Sequence, residues 1–414
     1  MLLRIRSAIA LVALSTSGLL PAQLDRRLDA IQLIQQGDIA LRLGNSEQAY
    51  FHYTNAIQKD PAFADPYMKR AALLTRLGQY TQALADMDLA LKLNPMSEYI
   101  HDRRAKVRIL LSDHKGAEVD MVEAQRIAPY DEILRKARVD EYLAIGRPDQ
   151  ALGELDTLLA GSPEDTLLLL KAGFTHLRLD DPGRAQAIAD RVLAGQPNST
   201  LAHDLRGMAQ ARRGEHAEAI RSFSKAITLA PTWPQAWFNR GLSHRALGEK
   251  DKALADMDKA VSLGQGEVTF LYNRALVRKE TGDLKGALRD YDEALVRDAG
   301  HADLLFNRAY TLKFLGEHLG AMRDAEEALR RAPDDPDAWN LKGDLHLLLS
   351  EYPEAIEHYS RAIQLDKYPA AHYYDRGLAY LMSYQLLQGC GDLERSRDLG
   401  LEKAADAIRY FCGF

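Results

Sequence analysis

ADPYMKRAALLTRLGQYTQALADMDLALKLNPMS, residues 64–97, is the stretch that decides the fold, because its landmarks return every 34 residues. Prolines stand at Pro61, Pro95, Pro129, Pro163, Pro197 and Pro231, each 34 residues after the last, and Pro333 keeps the register three periods on. A fixed period of this size marks a chain of stacked copies of one supersecondary unit. With proline at repeat position 32, units begin at residues 30, 64, 98, 132, 166, 200, 234, 268, 302, 336 and 370, eleven in all without an insertion.

Other positions keep the same register. Position 8 is Gly or Ala in every repeat except the fourth, which has Val139; position 20 is Ala in every repeat except the last, which has Gly389. Position 15 is often Gly, as at Gly44, Gly78, Gly248 and Gly282. Position 4 carries Tyr67, Trp237, Trp339 and Tyr373, and position 24 carries Tyr53, Phe223, Tyr291 and Tyr359. Two helices of about a dozen residues must pack antiparallel in each unit. Small residues at positions 8 and 20 let their backbones approach, Gly at 15 turns the chain where positive φ is needed, and Pro at 32 ends the second helix.

This pattern resembles the tetratricopeptide repeat, and the resemblance covers residues 30–403. It implies an all-α chain, a right-handed α-solenoid of about eleven 34-residue helix-turn-helix repeats. Repeats 4 and 5 are the most degenerate, and repeats 7 and 8 have Gln265 and Ala299 in place of the proline. The amphipathic tail Leu401–Tyr410 would cap the last open face, as stacked repeats require. The expected organisation is a signal peptide over 1–22, a lead-in over 23–29, repeats over 30–403 and a C-terminal cap over 404–414.

A charge pattern runs inside the repeats. Position 7 is Arg in eight repeats and position 23 is Asp in six, and each of those six Asp shares its repeat with such an Arg. The two positions lie symmetrically about the turn at 15. An antiparallel hairpin therefore predicts structural ion pairs Arg70–Asp86, Arg104–Asp120, Arg240–Asp256, Arg274–Asp290, Arg308–Asp324 and Arg376–Asp392, with Arg138–Glu154 as a variant. The guanidinium fork matches a carboxylate and fixes register. Pairing of position 23 with the next repeat is disfavoured, because Asp324 would meet Lys342 and Asp392 would meet nothing comparable.

In proteins of this family the first helices line a concave groove, with positions 2, 5, 6, 9, 12 and 13 facing it. The resemblance therefore places candidate peptide-binding residues in repeats 7–9: Phe238, Tyr272 and Phe306 at position 5, Asn239, Asn273 and Asn307 at position 6, and Arg245, Lys279 and Lys313 at position 12. An Asn amide can donate to and accept from a peptide backbone. The row is similar to the asparagine ladder of O-linked N-acetylglucosamine transferases, with no transferase domain following. The alternative is repeat consensus, solvated and idle. Positions 5 and 9 lack the Lys, Asn and Arg of the carboxylate clamp found in chaperone-binding members.

The remaining features narrow the function. A net charge of -6 over 414 residues gives no sign of a nucleic-acid partner, which would need a clustered basic face, and none is expected. Arg4 and Arg6, the apolar run Ala8–Leu14 and Ala22 before Gln23 have the layout of a secretory signal peptide. The apolar run, interrupted at Ser15–Gly18, is too short to span a bilayer, and no cysteine follows it for lipid attachment. Cys390 and Cys412 are the only cysteines; export makes a disulfide the expectation, with two buried free thiols as the alternative. Two thiols fall short of a structural zinc site, and no metal or cofactor is expected. The sequence around both resembles the terminal repeat and cap of exported bacterial members. No HExxH, phosphate loop or GxSxG occurs, and the carboxylates at positions 23 and 25 recur with the repeat, so they read as scaffold. The expectation is a periplasmic or secreted, non-catalytic scaffold holding a protein segment in its groove. The rivals are an envelope assembly factor acting through its convex face or C-terminal end, and a carbohydrate or peptidoglycan binder.

Overall fold

The structure is a computed structural model and describes residues 21–413; the expected signal segment, but for the backbone of its last two residues, lies outside them. Among the described residues there are 23 helices and no strand. First helices start at Ala64, Glu98, Glu132, Thr166, Thr200, Pro234, Val268, Ala302, Pro336 and Ala370, a 34-residue step throughout, and each is followed by a second helix after a short turn. The chain is an all-α repeat solenoid. It divides into two compact units, residues 1–192 and 193–414.

The turn within each repeat has one backbone solution. All seven glycines at position 15 have positive φ, from 72° at Gly146 to 86° at Gly282. In the other four repeats Ser112, Asp180, Ser350 and Tyr384 occupy the same position, with φ between 56° and 63°. A Cβ-bearing residue there costs about 1–2 kcal/mol against the steric preference of L-residues. The hairpin therefore imposes its turn on whatever residue sits in it.

The core repeats as well. Every alanine at position 20, from Ala49 to Ala355, is fully buried. Position 8 approaches position 24: a Cβ on Gly37, Gly207 or Gly343 would come within 2.5–2.6 Å of the ring of Tyr53, Phe223 or Tyr359, although repeat 8 accommodates Ala275 with Tyr291. Where position 24 is Met87 or Met121, position 8 can be Ala71 or Ala105. Position 4 has a polar task too. Trp237 and Trp339 donate their indole N–H to Pro231 and Pro333 carbonyls at 2.9 Å, and Tyr67 donates to the Pro61 carbonyl at 3.3 Å. Each clamps the proline that closes the preceding repeat.

Both ends of the repeat series differ from a bare stack. The first helix runs Pro21–Arg42, so residues 23–29, expected as a lead-in, are helical. Leu24 is buried, and the Arg27 guanidinium pairs with Asp60 and lies 4.2 Å from the Phe63 ring centre. At the other end, helix Lys403–Phe411 packs on Leu386–Asp398 through buried Ala404 and Ala407. Cys390 and Cys412 form a disulfide with Cα atoms 5.9 Å apart, tying this helix to repeat 11.

Candidate protein-binding face

The charged side chains form rungs. Arg70 donates from Nε and Nη2 to the two oxygens of Asp86, both at 2.7 Å. Arg104–Asp120, Arg240–Asp256, Arg274–Asp290, Arg308–Asp324 and Arg376–Asp392 repeat the contact at 2.6–3.0 Å. Arg138 and Arg135 share Glu154, at 3.0 and 2.7 Å. These carboxylates are buried, so the two-pronged donor is what makes their charge tolerable.

A second set of contacts was missed in the sequence. The third nitrogen, Nη1, reaches back to position 25 of the preceding repeat. Thr54, Asp88, Ser224, Asp258, Asp292 and Ser360 accept from Arg70, Arg104, Arg240, Arg274, Arg308 and Arg376 at 2.8–3.1 Å. Each of these arginines therefore binds its own hairpin and staples it to its neighbour. The pairing between repeats thus runs through position 25 and not position 23, and the recurring acids at position 25 are its signal in the sequence. Repeat 3 has Val122 at position 25, and the Nη1 and Nη2 of the fully buried Arg138 have no hydrogen-bond partner.

The position 5, 6 and 12 residues of repeats 7–9 are brought together, but largely with one another and with neighbouring acids. Phe238 is only 6% exposed and packs on Phe270 with ring centres 4.9 Å apart, so it belongs to the core and not to an open groove. Asn239 donates to Asp204 at 3.0 Å. Asn307 donates to the Tyr272 hydroxyl at 3.3 Å and accepts from Lys279 at 3.0 Å. Asn273 donates to the Thr269 carbonyl of its own helix at 2.9 Å. Arg245 pairs with Glu280, and Lys313 with Asp344 at 2.7 Å. Phe306 is half-buried against Tyr310, whose ring also meets Lys279 and Lys313 at 4.9 and 5.0 Å. Burial pushes the Lys279 ammonium down and the Asp204 carboxyl up to about 6, the latter opposed by its Asn239 hydrogen bond. The physical reason is spacing: a side chain on one first helix lies within reach of the next first helix, so polar groups on this face can satisfy each other.

Cavities lie along the first helices of both units: one of about 270 Å³ is lined by Met208, Asn239 and Leu242, and two adjoin over repeats 1–3. One cavity of about 370 Å³ is lined by Leu41, Tyr53, Met68, Ala72 and Tyr99 among others. A second, of about 320 Å³, shares Met68, Ala72 and Tyr99 and extends to Met87 and Val107. Lys69, Arg76, Arg103 and Lys106 edge the two. Lys69 pairs with Asp38 at 2.8 Å, and Arg103 lies 5.1 Å from the centre of the Tyr99 ring. The floor is thus apolar; the rim is mixed, with Asp38 and Asp65 beside Lys69 on the first cavity and Arg76, Arg103 and Lys106 on the second.

Two models described as tetratricopeptide repeat match the chain, one over residues 34–98, 170–234 and 312–372, the other over 234–265, together just over half of it. The chain belongs to the tetratricopeptide-repeat family. Tetratricopeptide repeats generally mediate protein–protein interaction on a scaffold that is typically non-catalytic. No curated protein matches. Among solved structures, the APC/C hetero-tetramer Cut9–Hcn1 is similar at TM-score 0.50 and 14% identity, with 98% of each chain covered. A tetratricopeptide repeat protein from Parabacteroides merdae gives 0.47 and 20%, over 59% of this chain and 97% of that one. Yeast Tom70 gives 0.42 and 16%, over 92% and 94%. At these identities the likeness is one of fold. Among the described residues, no helix is long and apolar enough to cross a membrane.

Proposed function

We propose that this tetratricopeptide-repeat chain is an exported, non-catalytic scaffold that holds an extended segment of another protein along its first helices. The observation that carries the reading is the pair of adjoining cavities over repeats 1–3, apolar in floor, with Arg76, Arg103 and Lys106 on the rim of the second. Such a surface suits a segment with apolar anchors and acidic flanks. The asparagine row enters as a second stretch. There a passing backbone would have to displace Asp204 from Asn239 or Lys279 from Asn307, whereas Asn273 is engaged only by its own helix. Export, to a periplasm or beyond the cell, is supported by the layout of residues 1–22 and by the Cys390–Cys412 bridge, which suits an oxidising compartment.

The test is capture from an envelope extract on the chain 23–414, beside two folded variants, Met68→Glu with Arg103→Glu, and Asn239, Asn273 and Asn307 all to Ala. Proteins lost with the first variant and kept with the second place the primary groove over repeats 1–3; the reverse places it over repeats 7–9. Proteins kept by both remove the groove reading. A second reading then stands, assembly through the C-terminal end, favoured by the exposure of Tyr384, Leu387 and Tyr410, each more than 80% accessible.

A further inference from the structure

One junction departs from the others on both its faces. Between repeats 3 and 4 there is no acceptor at Val122, and Arg138 keeps only its Nε contact to Glu154. The second helix of repeat 3, His114–Ile127, also packs more sparsely on the next first helix, Glu132–Ala144, than the second helices of repeats 1 and 2 pack on theirs. Across the same junction lie two buried acids. Asp102, on helix Glu98–Leu110, and Glu141, on helix Glu132–Ala144, are each only 4% exposed. The one cation that reaches both is Lys106, whose Nζ is 2.7 Å from Asp102 Oδ2 and 3.5 Å from Glu141 Oε1. Asp102 Oδ1 and both Glu141 oxygens have no hydrogen-bond partner.

We propose that this junction is a proton-controlled hinge: one proton held between Asp102 and Glu141 keeps repeats 3 and 4 closed, and its loss to water loosens them. A protonated Glu141 supplies the donor that the cluster lacks, since its O–H can reach Asp102 and leaves Lys106 to balance the one remaining charge. With both acids ionised, two buried negative charges face one ammonium, and like charges in a desolvated site repel. Burial, then the charge of Asp102, pushes the Glu141 carboxyl up to about 7, with Lys106 opposing.

The surrounding charges do not relieve the pair. On His114–Ile127, Asp120 is held by Arg104, Arg108 and His101, the last buried beside Asp102 on its own helix, and Glu118 faces Arg147. On Pro148–Gly161, Glu154 takes Arg135 and Arg138. Lys136 on Glu141's own helix pairs with Glu132. On Thr166–Arg178, Lys171 pairs with Asp140 and Arg178 donates to the Leu143 carbonyl. Arg103 points its guanidinium toward Tyr99 and reaches Asp102 only at 3.9 Å.

The sign follows from linkage. A carboxyl raised in the folded state contributes stability that is complete below its ordinary value and is lost as pH rises through the folded value. For Glu141 that window runs from 4.5 up to about 7. The test is hydrogen exchange of the full chain, expressed as protection factors, at about pH 5.5 and about pH 8. Helices 98–110 and 132–144 are expected to lose about tenfold or more in protection at the higher pH, with repeats 7–11 unchanged. Glu141→Gln, neutral and still able to donate to Asp102, is expected to abolish that loss. Asp102→Asn, which leaves one acid with Lys106, is expected to reduce it and serves if the first variant does not fold. Protection that is flat with pH in the natural chain, that falls equally throughout it, or that still falls in Glu141→Gln overturns the proposal.

Discussion

The junction between repeats 8 and 9 and the junction between repeats 3 and 4 are made from the same 34-residue plan and end in opposite states. At the first, Arg308 holds Asp324 in its own hairpin and Asp292 in the repeat before, while Lys279, Asn307 and Tyr272 link the two first helices. At the second, Arg138 keeps its own Glu154 but faces Val122, and the first helices meet through Asp102 and Glu141. Repeat 4 looks degenerate in sequence, yet its hairpin retains its ion pair. What it lacks lies partly in the repeat before it. In a stacked chain the strength of a repeat is a property of neighbouring pairs, because each interface draws residues from both sides.

The comparison can be broken most forcefully at an intact rung. Asp120→Ala strips the shared acceptor from Arg104, Arg108 and His101 at a fully buried site, and a loss of about 2–3 kcal/mol in urea unfolding is expected, since hydrogen bonds to a charged group are lost while Arg104 keeps Asp88. A loss under about 1 kcal/mol would mean the rungs add little. Gly207→Ala should cost about 1–3 kcal/mol, because its Cβ would lie 2.5 Å from Phe223; the same change at Gly241, where the nearest atom is a flexible Met257 methyl at 3.1 Å, should cost clearly less. Val122→Asp sharpens the irregular side. It offers Arg138 the missing acceptor and should stabilise by about 0.5–1.5 kcal/mol, and no gain would show that this junction is weak for another reason.

The smallest effect concerns Asp204, the other strongly raised acid. Its carboxyl, pushed to about 6 by burial, should give stability that is complete below about pH 4 and lost as pH rises through 6. Carboxyl NMR should find its midpoint near 6, and Asn239→Ala should move it upward by removing the opposing hydrogen bond. A midpoint in the ordinary aspartate range would show that the site is wetter than its packing suggests.

Much of this architecture was legible in the sequence because the repeat prints each structural requirement eleven times. The start of nearly every first helix could be read from the spacing of prolines, and the Gly at position 15 announced its turn. The turn at Tyr384 and Ser112 was legible only by register, since neither residue favours positive φ. The candidate groove was less legible. Aromatic and amide side chains at positions 5 and 6 look presented when each repeat is read alone, but Phe238 is drawn into the core by Phe270, one repeat later. Contacts 28 to 35 residues apart, such as Lys279 to Asn307 and Asn239 to Asp204, decide which groups remain available, and a pattern read within one period does not contain them.

A stack of repeats has two ends, and each end unit has a neighbour on one side only, so such chains tend to unravel from their termini. Here the last helix is bolted to repeat 11 through the Cys390–Cys412 bond, whereas the described part of the first is held by packing and ion pairs, among them Leu24, Ala30 and Arg27 on Asp60. Unravelling thereby acquires a direction. A partner or protease that works by peeling the chain meets a closed door at the C-terminus, and a reducing environment would be the key to it.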